Sequence, residues 1–514
     1  MEELRTSGAR GIITTDEVVY EGLAEQGVEL DYLLPDYCPD IFRIIRCCLI
    51  PKVLSYNISG DSKLDINGMV LIKVLYTAEG SDAIHCIDQR YTYTKTIDMG
   101  RKVISPTITI STKSDYCNCR AVSSRRIDVR GAVSCNIRAV CSAEYSLPSL
   151  SEHLQVKAQE YTCCAGTLNA EKLITLREDI DTGASGISFI IHTDCSPKIT
   201  DMRIIADKAV IKGEVTVNAL YGLNDKENSG CTETEKMTAE IPVSVILDIP
   251  GITDEHRCTP RLWVMDCELT PSADSSIISC ELKLQCTARA HSEQSVIIPT
   301  DVYSTAYESD FSTARIKLCT EPSPIAKQFN IKSKMSSNDG EVGSVWDCKS
   351  EVYGLSCRTK DGVPTLSGQV YCTTYGKTTD GVPFFTEKNE SFEQPLSTAS
   401  CCDELFIEIT SVTTDTSYSI NSDGMIDVSI LVDFNGSAQK ITTIDAVDSV
   451  SLYEDRPKEQ DSDYALRIFY ANDKPLDCWS VAKKYNTTVG AVMRENGIED
   501  ENATLSGMII IPTV

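Results

Sequence analysis

The chain has 514 residues, 42% of them hydrophobic and 24% charged. That mixture builds globular domains with real cores, about three to four of them at about 100–200 residues each. Forty-eight Lys and Arg stand against 75 Asp and Glu, a net charge of −27 that repels phosphate backbones and anionic headgroups; nucleic acid is therefore not an expected partner, and a basic or mixed protein surface is.

The N-terminal stretch MEELRTSGARGIITTDEVVYEG lacks the apolar segment of a secretory signal, and no run of about 18 apolar residues follows. Cytosolic synthesis without membrane insertion is expected. The next stretch, DYLLPDYCPDIFRII (31–45), sets Asp36, Cys38 and Asp40 among Pro35 and Pro39. A cysteine nucleophile needs a base, yet the nearest histidine in sequence, His85, has no patterned partner. Nothing nearby would split the pKa values of Asp36 and Asp40 into an acid and a base. Prolines that set φ and aspartates that bond local N–H groups explain the stretch better. Cys38 then packs, and Asp40 through Ile45 reads as one helical turn with Asp40 near its positive end.

From there to about residue 460 the pattern is period-two alternation rich in Val, Ile, Thr and Tyr, broken by Asn, Asp, Gly, Ser and Pro. NGMVLIKVLY (67–76), KGEVTVNALY (212–221) and SGQVYCTTY (367–375) share a glycine, a valine two residues on, and a closing tyrosine. Their glycines, Gly68, Gly213 and Gly368, are about 150 residues apart. Tyr76 and Tyr221 follow at the eighth position and Tyr375 at the seventh, so the third copy reads as degenerate or bulged. A second alternating strand follows each: 128–140, 279–290 and 423–434. Three antiparallel β domains are predicted, at 1–175, 176–330 and 331–455, arranged as beads on a string. The joins are placed in 171–186 and 329–344, and a charged linker at 456–463.

The period then changes. LRIFYA (466–471) is strand-like. CWSVAKKYN (478–486) has helical spacing, Thr488 caps VGAVMRENG (489–497), Gly497 ends it, and MIIIPTV closes the chain. This β-α-α-β order, with Trp479-Ser480-Val481-Ala482 and Tyr485, Thr488, Val492, Asn496-Gly497 and Gly507 through Pro512, resembles the LysM domain over 464–514. The resemblance implies a glycan- or partner-binding groove between two loops. Its residues here are Asn472, Asp473, Lys474, Pro475 and Trp479 on one side and Asn496, Gly497, Ile498 and Asn502 on the other. Where the family carries Gly-Asp-Thr-Leu before the tryptophan position, this chain has Asn472 through Cys478. Trp479 is read either as core or as a half-exposed anchor. Ile468 and Phe469 alternate along the first strand, so the outward one would join Trp479 in a partner patch.

LPDYCPDIFRI ahead of a G-x-V-x-V strand resembles the SPOCS domain of clostridial spore-coat proteins. Pro35, Asp36, Pro39, Asp40 and Ile41 carry that motif, and Asp194 with Pro197-Lys198-Ile199 reads as its echo. Tandem copies ahead of a LysM domain are similar to the SipL family of coat morphogenetic proteins. That resemblance implies a scaffold made in the mother cell and placed at the forespore surface, where its LysM domain engages the coat-basement ATPase. The alternatives are an N-acetylglucosamine-type glycan at the cortex or cell wall, and self-association into a surface layer or filament through strand edges.

The 23 cysteines include no C-x-x-C, and the five histidines include no ligand-spaced pair. The cysteines are read as thiols packing as small hydrophobes, with later oxidative cross-linking as the other reading. No phosphate-binding, nucleophile-elbow or zinc-protease motif occurs. No cofactor, no metal and no enzymatic activity are expected.

Overall fold

The computed structural model describes residues 12–103, 106–148, 151, 153–184, 186–224, 230–272, 276–360, 363–396, 405–458, 466–500 and 503–512. Among them about 80% of residues are strand, with two short helices near the C-terminus, in keeping with the mainly β expectation.

Two antiparallel sheets form a sandwich, three strands in each, and the plan occurs three times, with a fourth strand added to one sheet of the third copy. In the first, β6 (Arg126–Ser146) lies between β1 (Ile12–Leu33) and β5 (Thr107–Ser123), while β2 (Ile41–Ser59), β3 (Lys63–Ala78) and β4 (Ile84–Asp98) make a meander. In the second, β12 (Ile277–Ser304) lies between β7 (Leu154–Asp181) and β11 (Arg257–Pro271); the meander is β8 (Ile187–Ile205), β9 (Lys208–Asn224) and β10 (Cys231–Asp248). In the third, β13 (Tyr307–Cys319) and β14 (Ser323–Met335) pair with successive halves of β19 (Ile426–Pro457), and β18 (Leu405–Ile420) also pairs with it. Its meander is β15 (Val342–Lys360), β16 (Val363–Thr378) and β17 (Pro383–Pro395).

The segments that repeat in sequence are the central strands. Gly68, Gly213 and Gly368 lie on β3, β9 and β16. The runs 128–140 and 279–290 lie on β6 and β12, and most of 423–434 on β19. Central strands have neighbours on both edges, so their pattern is the most constrained. Counting from each glycine, alternate residues face the sandwich: Val70, Ile72, Val74 and Tyr76; Val215, Val217, Ala219 and Tyr221; Val370 and Cys372. A Cβ on Gly213 would come within 2.5 Å of the Lys198 carbonyl oxygen. Glycine lets the two backbones approach there.

Tyr375 differs for a reason of parity. β16 pairs without a break with β17 along this stretch, so a tyrosine one residue early points to the opposite face. Gly376 occupies the core-facing place, filled by the Phe384 ring. Tyr375 instead packs with Leu75, Ile84, Ile191 and Leu220 from the other two repeats. Arg46 donates to its hydroxyl and lies over the Phe385 ring at 4.2 Å.

The repeats are therefore not beads on a string. Beside that shared cluster, β4 and β10 meet through Ile84 and Cys231, which joins two meanders into one six-stranded sheet. Ile13, Cys163, Ile298, Ile316, Leu318 and Ile444 form a second shared cluster where the long strands of all three repeats converge. Each such buried aliphatic side chain is worth about 1.5–3 kcal/mol. Many of the cysteines, Cys135, Cys163, Cys280, Cys286 and Cys372 among them, are buried in these cores.

Three local expectations are corrected. Residues 41–45 begin β2 and are strand, not a helical turn; the β-branched Ile41 and Ile44 pair with β3 instead. Pro197 is the counterpart of Pro51, not of Pro39. Pro51 faces Val70 and Pro197 faces Val215, each two residues past its glycine, so SPKI (196–199) matches IPKV (50–53). The joins expected in 171–186 and 329–344 are largely strand, and the boundaries at 175/176 and 330/331 fall inside β7 and β14. Of the linker, 456–457 belong to β19 and 459–463 lie outside the described residues.

Gly213→Ala should destabilise the chain by about 1–3 kcal/mol, because the added methyl meets backbone that cannot swing aside. Gly27→Ala, with open space at the Cβ position, should be close to neutral. Equilibrium urea unfolding of both variants checks this; equal midpoints would refute the close-approach account.

Candidate functional site

Two sequence-predicted sites can be placed. The first is the 34–40 loop, which crosses from β1 to β2. Arg125, in the β5–β6 turn, clamps it: its guanidinium donates to Asp40 Oδ1 at 2.8 Å and to the carbonyls of Leu34, Pro35 and Cys38 at 3.3, 2.7 and 3.2 Å. Ser124 Oγ donates to Asp40 Oδ2 at 2.8 Å. Cys38 N–H closes a turn onto the Pro35 carbonyl, and the Tyr76 hydroxyl reaches the Pro39 carbonyl. Hydrogen bonds from Arg125 and Ser124 hold the Asp40 carboxyl below the usual carboxylate range. Asp36 points into solvent, 3.9 Å from Arg125. Asp36 and Asp40 thus share a cation and not a reacting atom, and the prolines and aspartates shape a loop.

The second is the C-terminal module: β20 (Leu466–Asp477), α1 (Cys478–Lys484), α2 (Val489–Asn496) and β21 (Thr504–Pro512). Asp477 caps α1 by accepting from Ser480 N–H, and Thr488 caps α2 by accepting from Ala491 N–H. Gly497 ends α2 at φ 65°, the left-handed conformation that glycine adopts without strain. Cys478, Val481, Ala482, Val492, Leu505, Ile509 and Ile511 form the core. Asn496 is committed inside the module: its amide donates to the Val492 and Ile510 carbonyls at 2.7 and 2.6 Å and accepts from Ile510 N–H at 2.7 Å. Ile498 packs on the same core and Gly497 is the cap, so these three are structural. The side chains of Asn472, Asp473, Lys474 and Pro475 and all of Asn502 lie outside the described residues. The β20–β21 register breaks between Ala471 and Leu476.

Of the two readings of Trp479 the structure shows core, so it does not join Ile468 at the surface. It is 5% exposed, stacks edge-on against Tyr303 at 5.0 Å, and donates from Nε1 to Asp301 Oδ2 at 2.8 Å. Both partners belong to β12 of the second repeat. Lys483 Nζ bonds the other Asp301 oxygen at 2.5 Å. Lys157 pairs with Asp477 at 3.0 Å, the Tyr303 hydroxyl donates to the Thr487 carbonyl at 2.7 Å, and Asn486 Nδ2 donates to the Thr305 carbonyl at 2.9 Å. The α1 face of the module is thereby seated on the second repeat. Asp301, Tyr303 and Lys157 were not readable as site residues. The one local clue is Pro299-Thr300-Asp301 inside a strand pattern, which marks the register shift found there.

What stays open is the outer face of the β20–β21 pair. Leu466, Ile468 and Tyr470 lie opposite Pro512, Ile510 and Met508. Leu466 is 51% exposed, Ile468 and Tyr470 60%, and Met508 54%. Phe469, on the other face, packs against Tyr485. An apolar patch of this kind on a module otherwise rimmed by polar residues fits a protein surface.

Elsewhere, a cleft of about 290 Å³ between the second and third repeats is lined by Asp194, Lys236, Asp347 and Lys349. The Lys236–Asp347 pair at 2.7 Å sits within it. Among the described residues no group of three or more His, Cys, Asp or Glu could hold a metal ion, and no helix is long and apolar enough to cross a membrane.

Residues 187–272 match the family model described as SipL, SPOCS domain. The matched SPOCS segment runs from β8 through β11, the whole meander of the second repeat plus one strand of its other sheet. It supports a SipL-like, sporulation-related protein. It does not lie on the 31–45 stretch that carried the resemblance in sequence. No curated protein and no solved structure matches the chain.

Asp301→Ala should lower stability by about 1–3 kcal/mol, since it orphans the Trp479 N–H and a partly buried ammonium. In a Trp263→Phe/Trp346→Phe background, Trp479 emission should shift to the red. An unchanged spectrum and midpoint would mean the module is not seated on Asp301. Asp40 gives a pH test. Its folded pKa is depressed, so its contribution is present above the unfolded carboxylate range and is lost as pH falls through the folded value. Asp40→Asn should melt below the parent at pH 7, with the gap closing toward pH 3.

Proposed function

We propose that this chain is a non-enzymatic scaffold of spore-coat assembly, made in the mother cell and positioned at the forespore surface by protein–protein contacts. The observation that carries this reading is the division of faces on the C-terminal module. Its α1 face is occupied by the second repeat. Its open face, Leu466, Ile468, Tyr470 and Met508, is apolar. A protein groove or edge is matched better by aliphatic side chains than a glycan is, because sugars demand directed polar partners. The residues that would supply such partners at the second loop, Asn496 and Gly497, are engaged within the module.

The SPOCS match supports the sporulation setting, and the shared strand plan extends the same reading to the first and third repeats. In this proposal 464–514 acts as a LysM-type module that docks the coat-basement ATPase. The three repeats form the rigid body that sets where that dock sits.

Ile468→Glu in the tagged full-length chain tests it. A charge at the centre of the patch should cut capture of the ATPase from sporulating cells at least about tenfold and leave the tagged protein diffuse. The variant should keep the parent's melting temperature, because Ile468 is exposed. Undiminished capture and normal placement would overturn the docking reading. Retention of the full-length chain on chitin or peptidoglycan beads, lost on competition with N-acetylglucosamine oligomers, would favour glycan binding instead.

A further inference from the structure

The junction of the three repeats holds an unusual group of charges. Arg138 comes from β6, Arg261 and Arg289 from β11 and β12, and Phe406, Ile407 and Glu408 from β18. Arg138 lies over the Phe406 ring at 4.8 Å and donates to the Ile407 carbonyl at 3.2 Å. Arg289 lies over the same ring at 5.8 Å and pairs with Glu408 at 3.2 Å. Arg261 lies over the Trp263 ring at 5.3 Å.

Arg138 Nε and Arg261 Nε are both closed off from solvent without a hydrogen-bond acceptor. Burial pushes both guanidinium pKa values down; Glu21 and Glu408 work against this for Arg138, and Glu408 for Arg261, while the neighbouring arginines add to the depression. A buried guanidinium N–H left without an acceptor is destabilising, and more so when it carries charge. In a chain of net charge −27 such a cationic site is not a by-product of composition.

We propose that this junction binds a small oxyanion, with Arg138 and Arg261 as its principal donors, and that the anion ties the three repeats together. A tetrahedral or carboxylate oxyanion supplies acceptors of the right sign for guanidinium N–H groups and offsets the like charges. The three donor strands come from two repeats and the covering aromatic from the third, so the bound anion stabilises their mutual arrangement. Because it binds the folded chain, it raises stability by mass action.

Thermal unfolding of the full chain, freed of phosphate by dialysis into chloride, tests this with inorganic phosphate as the probe. Expected is a saturable rise in melting temperature at low millimolar phosphate, absent with sodium chloride of equal ionic strength. General salt exclusion from the surface would give a rise that does not saturate. Arg261→Gln should weaken the response by about tenfold or more. Titration calorimetry of the unmodified chain with phosphate gives a second reading that does not depend on the variant folding. No saturable response in both measurements, or an Arg261→Gln variant that responds like its parent, overturns the proposal.

Discussion

Strand parity is the constraint on which the rest of this structure depends. Along β3, β9 and β16 every second residue from the recurring glycine enters a sandwich, and the residues between are left for something else. A strand has only two faces, so one face being taken by the local core leaves the other to meet water or another repeat. In this chain much of that second face meets another repeat. Leu75, Ile84, Ile191, Leu220 and Tyr375 are the products of that choice, and they fuse three sandwiches that each resemble a domain. Tyr375 shows how cheaply the choice is made. Moving an aromatic by one position along β16 takes it out of one core and puts it into the shared one.

The fused body explains why the C-terminal module is not free. Polar groups at the end of β12 meet α1, and Asp301 accepts from an indole N–H and an ammonium at once. One carboxylate with two donors on the same helix face fixes orientation as well as contact. The outcome is a module with one face held and one face presented.

Much of the secondary structure was legible because central strands and capped helices carry local signals. The alternation around Gly68 and Gly213, Thr488 as a cap and Gly497 as a stop are all set by neighbours in sequence. The candidate site was legible only in part. That one of Ile468 and Phe469 faces outward was legible, because period two is local; which one was not. Trp479 was left between core and half-exposed anchor, because its neighbours Asp301 and Tyr303 lie far away in the chain. The 31–45 motif misled in two respects. Its aspartates suggested a helix start, although β-branched residues and the partner strand pulled 41–45 into β2. Its echo was sought beside the wrong proline, although SPKI and IPKV share both residues and register.

By itself the sequence determined the class of most elements, the threefold recurrence of two central strands, and the order and caps of the last four elements. Those follow from periodicity, turn residues and φ preference, which act over a few residues. Only the tertiary structure decided which faces are shared between repeats, where Arg125 clamps the first loop, which side of the C-terminal module is closed, and that three arginines converge at one junction. Each of these is a meeting of residues far apart in the chain. Such contacts depend on how sheets stack, and stacking is chosen by total buried area and satisfied charge, which no short stretch encodes.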